Sequence, residues 1–180
     1  MKTLNLYPNQ IITLNDFPIY SMPDLEKYYK ISKFKLNLPF VPVIKKDIVK
    51  KYFDNKLLDI LKQFEQDNPE AKYFMLDGSH RTTALTLTKS MINVVIYEID
   101  EDISEAKGMI DTGQILDSGT LYYNLKKNCE ILSKHFNVRS YFMTVEQKTL
   151  KLIEEKEIPQ HMKDVNTQYP FIVDKNSFLL

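Results

Sequence analysis

The apolar positions change their rhythm partway along the chain. In the first hundred residues, short apolar runs alternate with segments of helical spacing. Residues 10–15, Gln-Ile-Ile-Thr-Leu-Asn, predict a short strand, and residues 15–23, which hold Pro18 and Pro23, a loop. Residues 23–33 predict a helix that starts at Ser21 or Asp24 and turns Tyr28, Tyr29 and Ile31 inward. A strand follows over 38–45, flanked by prolines as an edge or a strand start would be. Residues 47–67 predict one helix, since Leu57, Leu58, Leu61 and Phe64 recur at spacings of three and four. Asn68-Pro69 ends it. Then come a strand at 73–76, a helix to about 89 and a strand at 92–99. The acids Asp100, Glu101 and Asp102 predict a solvated turn that caps the next helix. Beyond residue 103 the pattern is mainly helical, over 104–116, 120–136 and 144–157, with Pro159 after the last. Phe171-Ile172-Val173, in the tail, predicts an added strand or a cover over a surface. Strands first and helices second imply an α+β fold with a helical C-terminal portion.

Composition narrows the functional classes. A chain of 180 residues, 43% of them hydrophobic, can bury a sizeable core. Lys and Arg total 24, and Asp and Glu also total 24, so no global charge draws the protein to nucleic acid. Cys129 is the one cysteine, which excludes an internal disulfide framework and cysteine-based zinc clusters. It falls in a helical pattern, as a buried structural thiol would. His80, His135 and His161 lack the short spacing of a metal motif. No apolar run approaches the ~20 residues that span a bilayer, so no membrane partner is expected. The first residues are interrupted by Asn5, Pro8, Asn9 and Gln10 and do not read as a signal peptide. The expected compartment is the cytoplasm.

The chemistry concentrates at Leu76-Asp77-Gly78-Ser79-His80-Arg81-Thr82-Thr83-Ala84-Leu85, between a strand and a helix. Gly78 allows positive φ and a close approach to the backbone. Ser79 is expected to cap the helix by accepting the amide near Thr82. The free amides of the first turn favour an anion, and phosphate is the expected one. Arg81 offers a planar fork and His80 a donor that titrates near neutral pH; Thr82 and Thr83 add hydroxyls. The same residues also suit an ordinary turn, with Arg81 on a nearby carboxylate and His80 as a cap. Asp77 has two readings: it holds a magnesium ion or accepts a proton, or it bonds its own turn. Asp24, Glu26, Lys45 and Lys46 are weaker candidates, since acids on a helix and lysines at a strand end are commonly only solvated.

Asp77-Gly78-Ser79-His80-Arg81-Thr82-Thr83-Ala84 resembles the D-G-x-H-R-x-x-A element of the ParB/sulfiredoxin superfamily. The proline-flanked run 38–44 and the run 92–97 are similar to the strands before and after that element, so the resemblance covers roughly residues 5–100. It implies a ParB/sulfiredoxin-like nucleotide-binding domain over 1–103, with 104–180 as a helical extension packed on it. It also implies that Gly78, Ser79, His80, Arg81 and Thr82 bind the phosphates of ATP or ADP, with Mg2+ on Asp77, the catalytic candidate. Sulfiredoxins carry cysteine where this chain has Ser79, and a serine hydroxyl cannot replace that thiolate. ParB proteins carry an arginine-rich form of the motif; here His80 precedes a single Arg81. The branch that phosphorylates a free amino acid is the nearest in form. The expected function is a phosphotransferase (an ATP- or ADP-dependent kinase) or a nucleoside triphosphatase. The expected partners are a nucleotide and a small-molecule substrate, without nucleic acid. The alternative is a ParB-like DNA-associated regulator or a non-catalytic nucleotide-binding module.

Overall fold

A computed structural model describes residues 1–14 and 19–163. The elements run β1 (Lys2–Leu6), β2 (Ile11–Thr13), α1 (Met22–Lys33), β3 (Val41–Lys45), α2 (Lys46–Val49), α3 (Asn55–Asp67), β4 (Tyr73–Met75), α4 (Ser79–Leu87), β5 (Ile92–Tyr97), α5 (Asp100–Lys107), α6 (Leu125–Val138), β6 (Met143–Thr144) and α7 (Val145–Glu154). Six strands form one mixed sheet in the order β1-β5-β3-β4-β2-β6. Parallel pairs (β5 with β3, β4 with β2) alternate with antiparallel ones.

Strand alternation sorts the apolar residues onto two faces. Ile12, Ile44, Phe74, Val95 and Tyr97 pack against α2, α3, α5 and α6 through Val49, Leu57, Leu61, Ile103, Cys129, Leu132 and Phe136. Phe53, Phe74, Phe136 and Phe142 meet there ring to ring, with centroids 4.6–6.3 Å apart. The opposite face, with Ile11, Val41, Val43, Met75, Ile92, Val94 and Ile96, carries α1, α4 and α7. The fold is therefore α/β/α in layers. The second half of the chain shares this core: α6 fills one face, β6 extends the sheet beside β2, and α7 packs on α4.

Several elements depart from the sequence pattern for identifiable reasons. The helix expected over 47–67 breaks after Tyr52, because Asp54 starts a new helix by accepting the Leu57 amide at 2.8 Å. The acids at 100–102 are the first turn of α5 rather than a solvated turn. Asp102 is buried, accepts the Glu98 and Ile99 amides at 2.8 and 3.0 Å, and holds the N-terminal ammonium at 3.2 Å. The helix expected over 104–116 ends at Lys107. Strand β1 was not expected: only Leu4 and Leu6 are apolar in it, and as an edge strand it buries only Leu6. The apolar run at 171–173 lies outside the described residues.

Helices α1, α4 and α7 each stop at a lysine in the left-handed region: Lys35 (φ 56°), Lys89 (φ 54°) and Lys156 (φ 61°). In each the lysine's own amide and the next one fold back onto the last turn, as in a Schellman ending. Glycine is usual at that position, and a side chain there costs about 1–2 kcal/mol.

Candidate functional site

The β4–α4 junction forms where the motif predicts it, but its start is one residue earlier. Gly78, at φ 109° and ψ 26°, occupies the N-cap position, so Ser79 is the first helical residue and not the cap. This corrects the expected role of Ser79: a residue already inside the helix cannot fold its hydroxyl back onto the first turn as a cap does. The consequence is an uncapped helix. Helices α1, α3, α6 and α7 start on Ser21, Asp54, Asn124 and Thr144, each accepting a first-turn amide at 2.8–3.3 Å. Among the described residues no side chain accepts from the first-turn amides of α4. Those amides carry the positive end of the helix dipole.

They border a narrow cleft beneath α1 and α7. Ser79, His80, Thr82 and Thr83 line it from α4, Thr13 from β2, Leu25 from α1, and Val145, Lys148 and Leu152 from α7. Its free volume is about 10 Å³, roughly one water or one phosphate oxygen. Three neighbouring threonines, Thr82 and Thr86 in α4 and Thr88 at its C-terminal end, spend their hydroxyls on helix carbonyls: Thr82 on Ser79, Thr86 on Thr82 and Thr88 on Ala84. Thr83 does not. It is 6% exposed, lines the cleft, and has no hydrogen-bond partner among the described residues.

His80 also lines the cleft, but not as a cation. Its Nε2 accepts the Ser21 amide at 3.3 Å, which places the proton of the neutral ring on Nδ1. Burial holds its pKa below the ordinary histidine value, against the opposing charges of Asp24 and Asp77. The imidazole is thus a neutral clip between the starts of α1 and α4, where the sequence predicted a donor titrating near neutrality.

Arg81 turns away from the cleft. Its side chain is 2% exposed. Nη1 donates to the carbonyls of Pro39 at 3.1 Å and Phe40 at 2.6 Å, and Nη2 donates to Asp77 Oδ2 at 2.7 Å. The Asp77 carboxylate, 38% exposed, borders a different cavity of about 270 Å³ that Leu14, Tyr123, Ile131 and His135 help to line. The groups expected at one spot are therefore divided. Ser79, His80, Thr82 and Thr83 face the cleft, Asp77 faces the second cavity, and Arg81 faces the interior. Near this pair lies Tyr97, whose buried hydroxyl has no partner among the described residues; burial first, then the charge of Asp77, pushes its pKa up and keeps it protonated.

The weaker candidates lie elsewhere. Lys45 pairs with Glu98, and Lys46 with Glu65 at 2.6 Å. Asp24 sits in the first turn of α1, and Glu26 approaches His161 at 3.6 Å. Thr13 and Lys148 join the cleft from distant parts of the chain, and no local motif marks them. Among the described residues no three of His, Cys, Asp and Glu converge as metal ligands do. Cys129 is buried, and burial pushes its thiol up to about 11, as an inert structural thiol requires. Comparison of the chain with protein-family models, with curated proteins and with solved structures finds no match.

Proposed function

We propose that the protein binds the phosphate of a nucleotide at the start of α4, as the resemblance of Asp77-Gly78-Ser79-His80-Arg81 to the ParB/sulfiredoxin-like element implies. The observation that supports this best is the uncapped, glycine-led helix start opening on a cleft with the unpartnered Thr83 hydroxyl. One phosphate oxygen fits the cleft floor, so the nucleoside lies outside its mouth. Arg81 acts through structure: it ties Asp77 to the Pro39–Phe40 backbone and holds the turn in shape.

The residues fit a phosphate better than they fit a metal. Magnesium on nucleotides uses one or two carboxylates together with phosphate oxygens. Asp77 is already held by Arg81 and borders another cavity, so no step is routed through magnesium. The proposed chemistry is phosphotransfer or nucleotide hydrolysis. Asp77 borders the larger cavity and not the cleft, so its part as proton acceptor is what the Asp77→Asn variant tests.

Titration calorimetry with ATP, ADP and CTP, with and without magnesium, tests the reading. At least one nucleotide should bind. Thr83→Val keeps the shape and removes the hydroxyl, and it should weaken that nucleotide about tenfold, a hydrogen bond's worth to a charged group. No binding by the wild type, or equal binding by the folded variant, overturns the site. Asp77→Asn then separates an enzyme from a binding module: it should retain binding and lose at least about a hundredfold in turnover. Turnover equal to wild type removes Asp77 from the mechanism.

A further inference from the structure

Helices α1 and α4 lie side by side and point the same way. The Ser21 amide meets His80 at their starts, and the Ser32 and Thr88 hydroxyls meet at 2.5 Å near their ends. Their C-termini thus emerge together, at the end of the molecule away from the cleft. Lys33, Phe34, Lys35, Leu36 and Asn37 are consecutive and all exposed there, Phe34 at 76% and Leu36 at 62%. Met91, just beyond α4, adds a third exposed apolar side chain. Between the two helix ends runs a groove of about 190 Å³ lined in part by Lys35, Leu36, Asn37, Ser90, Met91 and Asn93.

The two chain segments that meet at this end carry no acid. No acid occurs from Lys27 to Lys46 or from Gly78 to Tyr97. Several lysines elsewhere are paired: Lys2 and Lys45 with Glu98, Lys46 with Glu65, Lys50 with Asp47, Lys151 with Glu155. Lys27, Lys30 and Lys35 make no ion pair among the described residues, and the Lys33 ammonium lies over the Tyr29 ring, 5.6 Å from its centroid. Cations at helix ends offset the dipole. That accounts for a lysine at each terminus but not for bulky apolar groups exposed between lysines.

We propose that this end of the molecule docks on an anionic phospholipid surface. Phe34 and Leu36 enter the headgroup layer, Lys30, Lys33 and Lys35 lie against lipid phosphates, and the groove receives a headgroup. Exposed apolar side chains alternating with lysines at a helix end suit a water–lipid interface. A nucleic-acid site would call for guanidinium forks or a stacking groove, and Arg81 and Arg139, the two arginines, lie outside this stretch. Surface docking needs no spanning helix, and none of the described helices is long and apolar enough to span. The nine-residue α4 separates this end from the cleft by about 13 Å, so docking leaves the cleft open to solution.

Vesicle sedimentation tests the proposal with the full chain. The protein should pellet with phosphatidylcholine vesicles containing about 30% phosphatidylserine, an anionic surface that attracts lysines. It should not pellet with phosphatidylcholine alone, and salt at about 0.5 M should release it. The triple variant Lys30→Ala, Lys33→Ala, Lys35→Ala should lose on the order of a hundredfold in partitioning. Phe34→Ser with Leu36→Ser should also lose most binding while keeping the wild-type Tm, because those side chains are exposed, and the lysine variant should remain folded. Three results overturn the proposal: no wild-type binding to the anionic vesicles, full binding by the serine variant, or tighter binding of the same lysines to duplex DNA or polyglutamate than to the vesicles.

Discussion

Replacing Gly78 with alanine tests whether the α4 start is as constrained as its geometry implies. Two costs combine. An L residue at φ 109° is strained, by about 1–3 kcal/mol. The added Cβ would also stand 3.1 Å from Arg81 Nη2 and 3.1 Å from Val41 Cγ2. Neither neighbour yields freely. Val41 is fully buried in the central sheet, and the guanidinium is fixed by Pro39, Phe40 and Asp77. Loosening one hydrogen bond to the guanidinium adds about 1 kcal/mol or more. The sum is about 2–4 kcal/mol, which at 2–4 °C per kcal/mol lowers Tm by roughly 5–15 °C. Gly113 supplies the control. It also has positive φ, 68°, but a Cβ there meets nothing within 4 Å. Gly113→Ala should therefore cost only the conformational part, about 1–2 kcal/mol. Urea unfolding of both variants with a common m-value reads the difference. Equal destabilisation of the two would show that Arg81 and Val41 do not confine Gly78.

Arg81→Ala should destabilise by about 2–4 kcal/mol, below the ~3–5 of a fully buried pair because Asp77 keeps contact with water; a urea midpoint equal to wild type would mean the guanidinium is free to reach a phosphate after all. His80 gives a pH signature. Its folded pKa is depressed, so the unfolded chain takes up the proton first, and stability rises with pH between the folded value and the ordinary one of about 6.5. Falling pH should therefore cost the wild type more stability than it costs His80→Gln, measured by urea midpoints across that window, and parallel pH profiles would refute the neutral clip.

What the sequence made legible was local. The strand–glycine–helix junction, the start of α1 at Ser21, and the buried Cys129 follow from spacing and residue type within a few positions. Long-range contacts were not legible, and they decide the site. Arg81 looked like an anion fork because its carbonyl partners Pro39 and Phe40 lie 42 and 41 residues away. Ser79 looked like a cap because serine prefers that place, while the preference of Gly78 for positive φ moved the helix start by one residue. Thr83 was visible only as one threonine among several. Its distinction is that α1 and α7 close over it, where a helix carbonyl takes up its neighbours' hydroxyls. The weak strand β1 escaped notice because one partner strand and an exposed outer face leave little apolar signal.

A balanced total charge concealed a polarised layer. The equal counts of acids and bases argued against an anionic macromolecular partner, but they average over the whole chain. The acid-free segments 27–46 and 78–97 include most of α1 and all of α4. At the start of α4 the amides supply positive partial charge; among the described residues the acids acting on His80 there are Asp24 and Asp77, and Asp77 is paired with Arg81. At the far end the lysines more than offset the negative dipole ends. One pair of parallel helices, pinned to each other at both ends, therefore presents anion-attracting chemistry at both, through backbone amides at one end and side chains at the other. Because Ser21–His80 and Ser32–Thr88 fix the helices' relative position, a ligand at either end acts on the same rigid pair.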